Sequence, residues 1–425
     1  MTSEVVLMNR RSIALAADSA STITTWHKGE KSQRYFKGTN KIFNLSYKAP
    51  VALMIYDSAD LYGVPWEIII KAYRNSIRGK AFNHLVEYAE DFFKFIENNQ
   101  DLYPSKFRLE QLIDKVIILV LNLLYWADAN QIIKEEKDEI IKKEKLNYLF
   151  NKLSQDVDKE EFIGTISQKE IDNLLKEHKD AFITKANSIE KISSYKKLIE
   201  IEKLIEIAVK ALLKEKYSTL DPTGLLITGF GEKDYFPILK HYNCYGILEN
   251  KLLCKVIEEI NIDQKNSSAI IPIAQSTMAK TFMHGISAEA FELAYNGIKN
   301  TIDKFQKSLR DKQIISAEIN VDDIKSSLVK DFINQLVDSF FDAHTNPMKR
   351  VVGLLPIDEL AELAEMFVRM ESLKERVTRS SEEVSGPVDV AVISKGDGFI
   401  WIKRKHYFDP KLNPRFFNKK EEADV

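Results

Sequence analysis

The chain has 425 residues, of which 44% are apolar and 29% charged, with 61 basic against 63 acidic side chains. This apolar fraction is sufficient for a packed core, which excludes a wholly disordered protein, and the net charge of -2 offers no basic field for nucleic acid. Two cysteines, Cys244 and Cys254, are too few for a disulfide framework, and no Cys/His spacing indicates a zinc site, so we expect a reducing, cytoplasmic compartment.

No segment of the sequence has the features of a membrane span or a secretion signal. The first charged residues follow the start without an apolar stretch of signal-peptide length. The longest apolar run, residues 116–127, is interrupted by Asn122 and falls short of the roughly 20 residues that a span needs. We therefore expect a protein without a membrane partner.

The first hundred residues predict strands followed by two helices. Short apolar runs at 5–8, 12–17, 41–45 and 51–56 are separated by turn residues and indicate strands. Pro65 is a good first helical residue, and the apolar spacing that follows it is helical. A second helix is expected at about 82–96.

Residues 105–218 differ in character from the rest. Apolar residues three and four apart lie among many Lys and Glu, and Gly164 is the one glycine in the segment. This pattern predicts several antiparallel helices that form a charged helical insertion. Its charged faces are either solvated or dock a partner.

The second half of the chain returns to strands and then alternates. Strands are predicted at 223–231, 235–239, 242–248 and 269–274, and helices at 277–339, with a break at 320–322, and at 357–377. The last strands, 388–393 and 399–403, are joined by a Gly-Asp-Gly hairpin signature. The tail from 409 is expected to be mobile. This order is not regular βαβ alternation, and it fits an α+β, four-layer α/β/β/α sandwich.

Several familiar catalytic signatures are absent from the sequence. It contains no P-loop, no complete dinucleotide fingerprint, no HExxH and no GxSxG, and its seven histidines are scattered. What remains is Thr2, a small residue after Met1. Removal of Met1 would leave a free α-amine with a pKa of about 8 on a residue that also carries a hydroxyl, which is a self-contained base and nucleophile.

Asp18 and Lys41 are candidates to assist this threonine. The strand that ends at Asp18 would return antiparallel beside the first strand and bring its end to Thr2. Lys41 opens the next apolar strand. A lysine ammonium near the threonine hydroxyl would favour the alkoxide, and a carboxylate would hold that ammonium in place.

The order of several short motifs resembles that of proteasome β-type subunits and their bacterial proteasome-like relatives, which are N-terminal nucleophile (Ntn) hydrolases. The start of the chain, with Ala-Ala-Asp-Ser at 16–19, resembles their mature N-terminus with its catalytic threonine. Segments 41–43, 53–60, 224–231, 271–278 and 385–390 follow in the family's order. The matched segments cover roughly half of the chain. The resemblance implies an Ntn-hydrolase sandwich with a large helical insertion.

The resemblance divides the chain into parts of a core and its elaborations. Core residues are 2–104, 219–286 and 347–408; the charged helical insertion is 105–218; a helical elaboration is 287–346; and the tail is 409–425.

The resemblance also assigns roles to residues of this sequence. Thr2 would be the nucleophile, with its α-amine as general base, and Asp18 and Lys41 would tune it. Ser276 and Ser385 stand where the family places a hydroxyl close to the threonine amine.

The sequence departs from the family in two places. Tyr56 and Asp57 replace a Gly-Gly pair that forms the oxyanion and substrate-binding strand end, and would crowd the pocket and bring a carboxylate near a developing negative charge. The Asp that precedes the family's last strand start has no clear counterpart, with Ser381, Glu382 and Glu383 as candidates.

These observations predict a cytoplasmic threonine peptidase that cleaves peptide bonds, needs no metal or organic cofactor, and assembles as a homo-oligomer. An unfolding ATPase would be a further partner, for which the sequence carries no signal. Two alternatives stay open. One is an Ntn amidohydrolase acting on a small amide, and the other is a non-catalytic scaffold that binds a partner through its helical block.

Overall fold

The computed structural model describes residues 2–27, 30–316, 320–378 and 386–414. Over these residues the chain is a mixed α and β protein with antiparallel sheets, as the sequence predicts at the level of class. Within the described ranges, none of the helices combines the length and the apolar character that crossing a membrane requires.

The fourteen strands of the described chain are β1 Ser3–Asn9, β2 Ser12–Ala17, β3 Ala20–His27, β4 Glu30–Lys37, β5 Ile42–Asn44, β6 Val51–Asp57, β7 Asp60–Leu61, β8 Val64–Pro65, β9 Thr223–Gly229, β10 Ile238–Leu248, β11 Lys251–Asn261, β12 Ser268–Ala274, β13 Asp389–Ser394 and β14 Gly398–Lys403.

The helices of the described chain are α1 Trp66–Ser76, α2 Leu85–Asn98, α3 Ser105–Ala129, α4 Gln131–Lys134, α5 Glu139–Asp158, α6 Gln168–Asn187, α7 Glu190–Ser194, α8 Ile201–Leu212, α9 Thr277–His284, α10 Ala288–Asp311, α11 Asp322–Phe340, α12 Asn346–Val352 and α13 Ile357–Thr378. A π-helical turn, Phe341–Thr345, joins α11 to α12, and a 3-10 turn spans Pro410–Leu412.

Two five-stranded antiparallel sheets contain most of the strands. The first sheet has the order β12-β1-β2-β13-β14, and the second has the order β11-β10-β9-β6-β5. In the first sheet β1 lies between β12 and β2, with Ser3 opposite Ala274. In the second sheet β6 pairs with β9, with Tyr56 opposite Gly224.

Both faces of these strands are buried, because alternate side chains pack in two different apolar environments. The strands therefore appear in the sequence as continuous apolar runs. Val6 and Met8 of β1 pack in a cluster that also holds Met54 of β6, so this cluster lies between the two sheets. Val5 and Leu7 point the other way and pack with α9, α12 and α13. The opposite face of the second sheet packs against α1 and α2.

Helices α3 to α8 cover nearly the whole of the predicted insertion and have a core of their own. Its fully buried members include Leu124, Phe182 and Leu212. This core continues into Tyr245, Leu248 and Leu253 of the β10–β11 hairpin. The block is therefore packed on one end of the second sheet by apolar contacts.

The structure corrects the predicted elements in three places. Strands β3 and β4 form a hairpin, and β11 forms the edge of the second sheet; none of these three was predicted. The separate strands expected at 235–239 and 242–248 are largely one strand, β10. Cys244 and Cys254 stand opposite each other on β10 and β11 and form a disulfide, which two cysteines in the sequence did not lead us to expect.

Candidate active site

Thr2 immediately precedes β1, next to the Ser3–Ala274 pair at the end of the β1–β12 ladder. Its carbonyl oxygen accepts a hydrogen bond from the backbone N–H of Gln275 at 2.8 Å, just beyond the end of β12. On the other side of β1, the N–H of Asp18 donates to the carbonyl of Ser3 at 3.1 Å. The backbone of Thr2 and Ser3 is therefore held by the two neighbouring chain segments, as the support of a positioned reactive group must be.

The structure brings Thr2, Asp18 and Lys41 together, as the sequence predicted. The Lys41 ammonium donates to Thr2 Oγ1 at 2.9 Å and to Asp18 Oδ1 at 2.6 Å. The ion pair is enclosed, because the side chain of Lys41 is 4% exposed and that of Asp18 is 0% exposed. A buried ammonium in contact with the threonine oxygen favours negative charge on that oxygen.

Backbone donors fix the Asp18 carboxylate in this place. The N–H of Ser3 donates to Oδ1 at 2.9 Å, and the N–H of Ala20 donates to Oδ2 at 3.1 Å. Lys41 is in turn fixed by its own backbone, since its carbonyl accepts from the N–H of Ile55 in β6 at 3.0 Å. Secondary structure of both sheets thus sets the geometry of the pair.

Thr2 and Lys41 open into a cleft of about 1250 Å³. Tyr56 and Asp57, the residues expected at the strand end, also line this cleft. So do two further carboxylates, Asp60 and Asp221. The cleft therefore combines the proposed nucleophile with an acidic wall.

Tyr56 forms part of the cleft with its ring laid over a glycine. A Cβ atom at Gly224 would lie 1.9 Å from Cε1 of the Tyr56 ring, so only glycine fits opposite this tyrosine. The hydroxyl is 2.6 Å from Nε2 of His241, whose pKa is lowered by burial. A neutral imidazole can accept a hydrogen bond from the tyrosine hydroxyl at that nitrogen. This contact anchors the ring and keeps it from rotating freely.

Two residues beside Thr2 have left-handed backbone although they are not glycines. Asp57 has φ 65° and Ala274 has φ 56°. Asparagine and aspartate tolerate this region better than other side chains, whereas alanine does not. Strained backbone of this kind concentrates at functional sites. Burial raises the pKa of the Asp57 carboxyl, which favours its uncharged form.

Glu4 is a neighbouring residue that the sequence analysis missed. It lies on the same face of β1 as Val6, is fully buried, and neither carboxylate oxygen has a hydrogen-bond partner among the described residues. Burial raises its pKa well above the ordinary value; Lys41 opposes this shift, while Asp18 and Asp57 add to it. The alternation of β1 could have identified Glu4 as inward-facing, but nothing local identifies His241.

The two serine candidates have different outcomes. Ser276 is buried immediately after Gln275, and its hydroxyl donates to the carbonyl of Ala274 at 3.3 Å. It therefore stands next to the residue that contacts Thr2. Ser385 lies outside the described residues, as do Ser381, Glu382 and Glu383, so their assignments stay predictions.

Among the described residues, a single group has the composition of a metal site. Ligand atoms of Glu177, His178 and Glu249 lie within 4.8 Å of one another. Both glutamates are exposed, and none of the three residues lines the Thr2 cleft. Such exposed groups occur commonly without a metal ion.

No protein-family model matches this chain, and no curated protein matches it.

Proposed function

We propose that this chain is a proteasome-like threonine peptidase of the Ntn-hydrolase type, with Thr2 as the nucleophile. One observation carries the proposal: the buried Lys41 ammonium bridges Thr2 Oγ1 and Asp18 Oδ1. An enclosed ammonium in contact with a threonine oxygen would stabilise negative charge on that oxygen during a reaction. The packing of two antiparallel sheets between helices supports the sandwich that the resemblance implies.

The proposed chemistry needs only groups of the chain itself. With Met1 removed, the α-amine of Thr2 takes the hydroxyl proton while Oγ1 attacks the peptide carbonyl. The peptide C–N bond breaks, and the leaving amine takes the proton from the α-amine. A water activated by the same amine then hydrolyses the threonine ester. Lys41 stabilises the negative charge on Oγ1, and Asp18 holds Lys41.

The strand end at Tyr56 and Asp57 would donate backbone hydrogen bonds to the oxygen of the substrate carbonyl. The left-handed backbone at Asp57 is the conformation for which glycine is usually used, so the aspartate keeps the backbone geometry that we expect of the family's glycine pair. Burial raises the pKa of the Asp57 carboxyl, and the charge of the N-terminus opposes this shift.

The size of the cleft favours a peptide over a small amide. Small-molecule sites are typically about 300–1,000 Å³, and the Thr2 cleft is about 1250 Å³. Assembly of several copies and an ATPase partner are further predictions of the resemblance, whereas the cytoplasmic location is a prediction from the cysteine count and the N-terminal sequence.

Intact mass spectrometry of the purified protein, before and after a β-lactone probe for N-terminal threonine, tests this proposal. We expect loss of the Met1 mass and one adduct that maps to Thr2. Thr2→Ala should abolish the adduct and peptide hydrolysis, whereas Thr301→Ala, a change on exposed α10, should preserve both. Retention of Met1, or an adduct that persists in Thr2→Ala, would contradict the assignment of Thr2 as the nucleophile. Retention of Met1 would favour the alternative of a non-catalytic scaffold that binds a partner.

A further inference from the structure

A cleft of about 650 Å³ lies along one edge of the two sheets. Its walls come from the end strands of the sheets, β5 and β14, from the segment that joins β5 to β6, from the β13–β14 hairpin and from helix α1. The described residues that line it include none of those that line the Thr2 cleft. We call this second cavity the edge cleft.

Positive charge exceeds negative charge on the walls of the edge cleft. The two acidic side chains that line it are Glu67 and Asp397. Glu67 accepts a hydrogen bond from the Lys71 ammonium at 2.5 Å, and Asp397 accepts one from the hydroxyl of Ser394 at 2.7 Å. Against these two, five basic residues line the cleft, which leaves an excess of three positive charges: Lys48, Lys71, Arg74, Lys395 and Arg404.

Two of these basic residues, Arg74 and Arg404, are held in place by aromatic rings. The Cζ atom of Arg74 lies 4.5 Å from the centroid of the Tyr47 ring, and that of Arg404 lies 4.6 Å from the centroid of the Trp401 ring. A guanidinium that stacks on a ring keeps N–H donors at its edge for a ligand. Nη1 of Arg74 donates to the carbonyl of Asn44 at 3.3 Å, but its Nε is buried without a hydrogen-bond partner among the described residues.

The two arginines lack a carboxylate that would neutralise them. Among the described residues, neither Arg74 nor Arg404 forms a salt bridge. Burial lowers the pKa of Arg404 and Arg74 adds to this shift, whereas Asp389 and Glu67 oppose it. The positive charges of the two arginines therefore repel each other. An anion bound to both groups would remove this repulsion and could supply the acceptor that Nε of Arg74 lacks.

We propose that the edge cleft binds a phosphate group, carried by a small organic molecule or free in solution. Guanidinium groups match the oxygens of a phosphate with paired hydrogen bonds, and the charge of about −1.5 to −2 that a phosphate monoester carries at pH 7 fits the excess of positive charge. The cleft volume lies within the range of about 300–1,000 Å³ that is typical of small-molecule sites. Phe43, Ile70 and Phe399 supply apolar wall for an organic part. This inference does not depend on Thr2 or on the proposed function.

Isothermal titration calorimetry of the full chain, in a buffer of low ionic strength without phosphate or sulfate, tests the proposal with three probes. These are adenosine monophosphate, inorganic phosphate and adenosine. We expect a phosphate-bearing probe to bind and adenosine to bind at least tenfold more weakly. Arg74→Gln and Arg404→Gln should each weaken this binding by about tenfold to a hundredfold, because each removes charge-assisted hydrogen bonds. The control Arg376→Gln removes the same charge from the exposed last turn of α13, away from the cleft, and should keep the affinity.

The outcomes separate the two sources of the phosphate group. Tighter binding of adenosine monophosphate than of inorganic phosphate indicates an organic ligand, whereas equal or tighter binding of inorganic phosphate indicates free phosphate. Three results would overturn the site: no binding of either phosphate-bearing probe at millimolar concentration, equal affinity for adenosine and its monophosphate, or an equal loss of affinity in Arg376→Gln. Arg404→Lys keeps the charge and removes the planar donor group, so it should fold and still bind more weakly than wild type. An unchanged affinity in Arg404→Lys would overturn the guanidinium contact.

Discussion

Replacing Lys41 with methionine removes the ammonium of the buried ion pair but keeps a side chain of similar length. Removal of one partner from a buried pair typically costs about 3–5 kcal/mol, because the other charge is left without compensation. Asp18 retains backbone hydrogen bonds from Ser3 and Ala20, at 2.9 and 3.1 Å, which compensate part of its charge. We therefore expect Lys41→Met to lower the free energy of unfolding by about 3 kcal/mol, at the low end of this range.

Urea unfolding measures this effect, since the midpoint falls while the slope stays constant when stability alone changes. Lys71→Met is the matched control. Lys71 pairs with Glu67 on the surface of α1, with side chains 52% and 37% exposed. Such a pair contributes about 0.5 kcal/mol or less. If both variants lose the same free energy of unfolding, or if Lys41→Met loses less than about 1 kcal/mol, the enclosed ion pair is refuted.

Two further changes test the surroundings of the candidate site. Gly224→Ala should displace the Tyr56 ring and lower the free energy of unfolding by about 1–3 kcal/mol through overpacking. Gly297→Ala on α10 is the control, because no atom lies within 4 Å of its new Cβ, and it should raise the free energy of unfolding by about 1 kcal/mol. Thermal unfolding of both variants measures these changes, and an unchanged stability of Gly224→Ala would mean that the ring is not fixed. The raised pKa of Glu4 means that wild type loses stability as the pH rises above the ordinary value of 4.5. In urea unfolding, Glu4→Gln should therefore gain stability relative to wild type as the pH rises above this ordinary value, and a pH-independent difference would contradict the buried carboxyl.

Much of the strand framework could be predicted because its strands are buried on both faces. The runs at 5–8, 13–17 and 51–56 are apolar without interruption, since one set of alternate side chains packs between the sheets and the other packs on helices. Strand β11 was missed because it is an edge strand with mostly exposed side chains, in which charged and apolar residues do not alternate regularly. Such a strand carries no apolar alternation that a sequence pattern could detect.

The sequence by itself predicted Thr2, Asp18 and Lys41 as the candidate nucleophile group, from their places near strand ends together with the order of the motifs around them. Only the tertiary structure decided that a single buried ammonium contacts both of the others. The contact of Tyr56 with His241 and the disulfide also depended on the fold, since each joins different secondary-structure elements. Local patterns record burial and propensity, whereas contacts between distant segments follow from strand register and packing, which one sequence does not specify residue by residue.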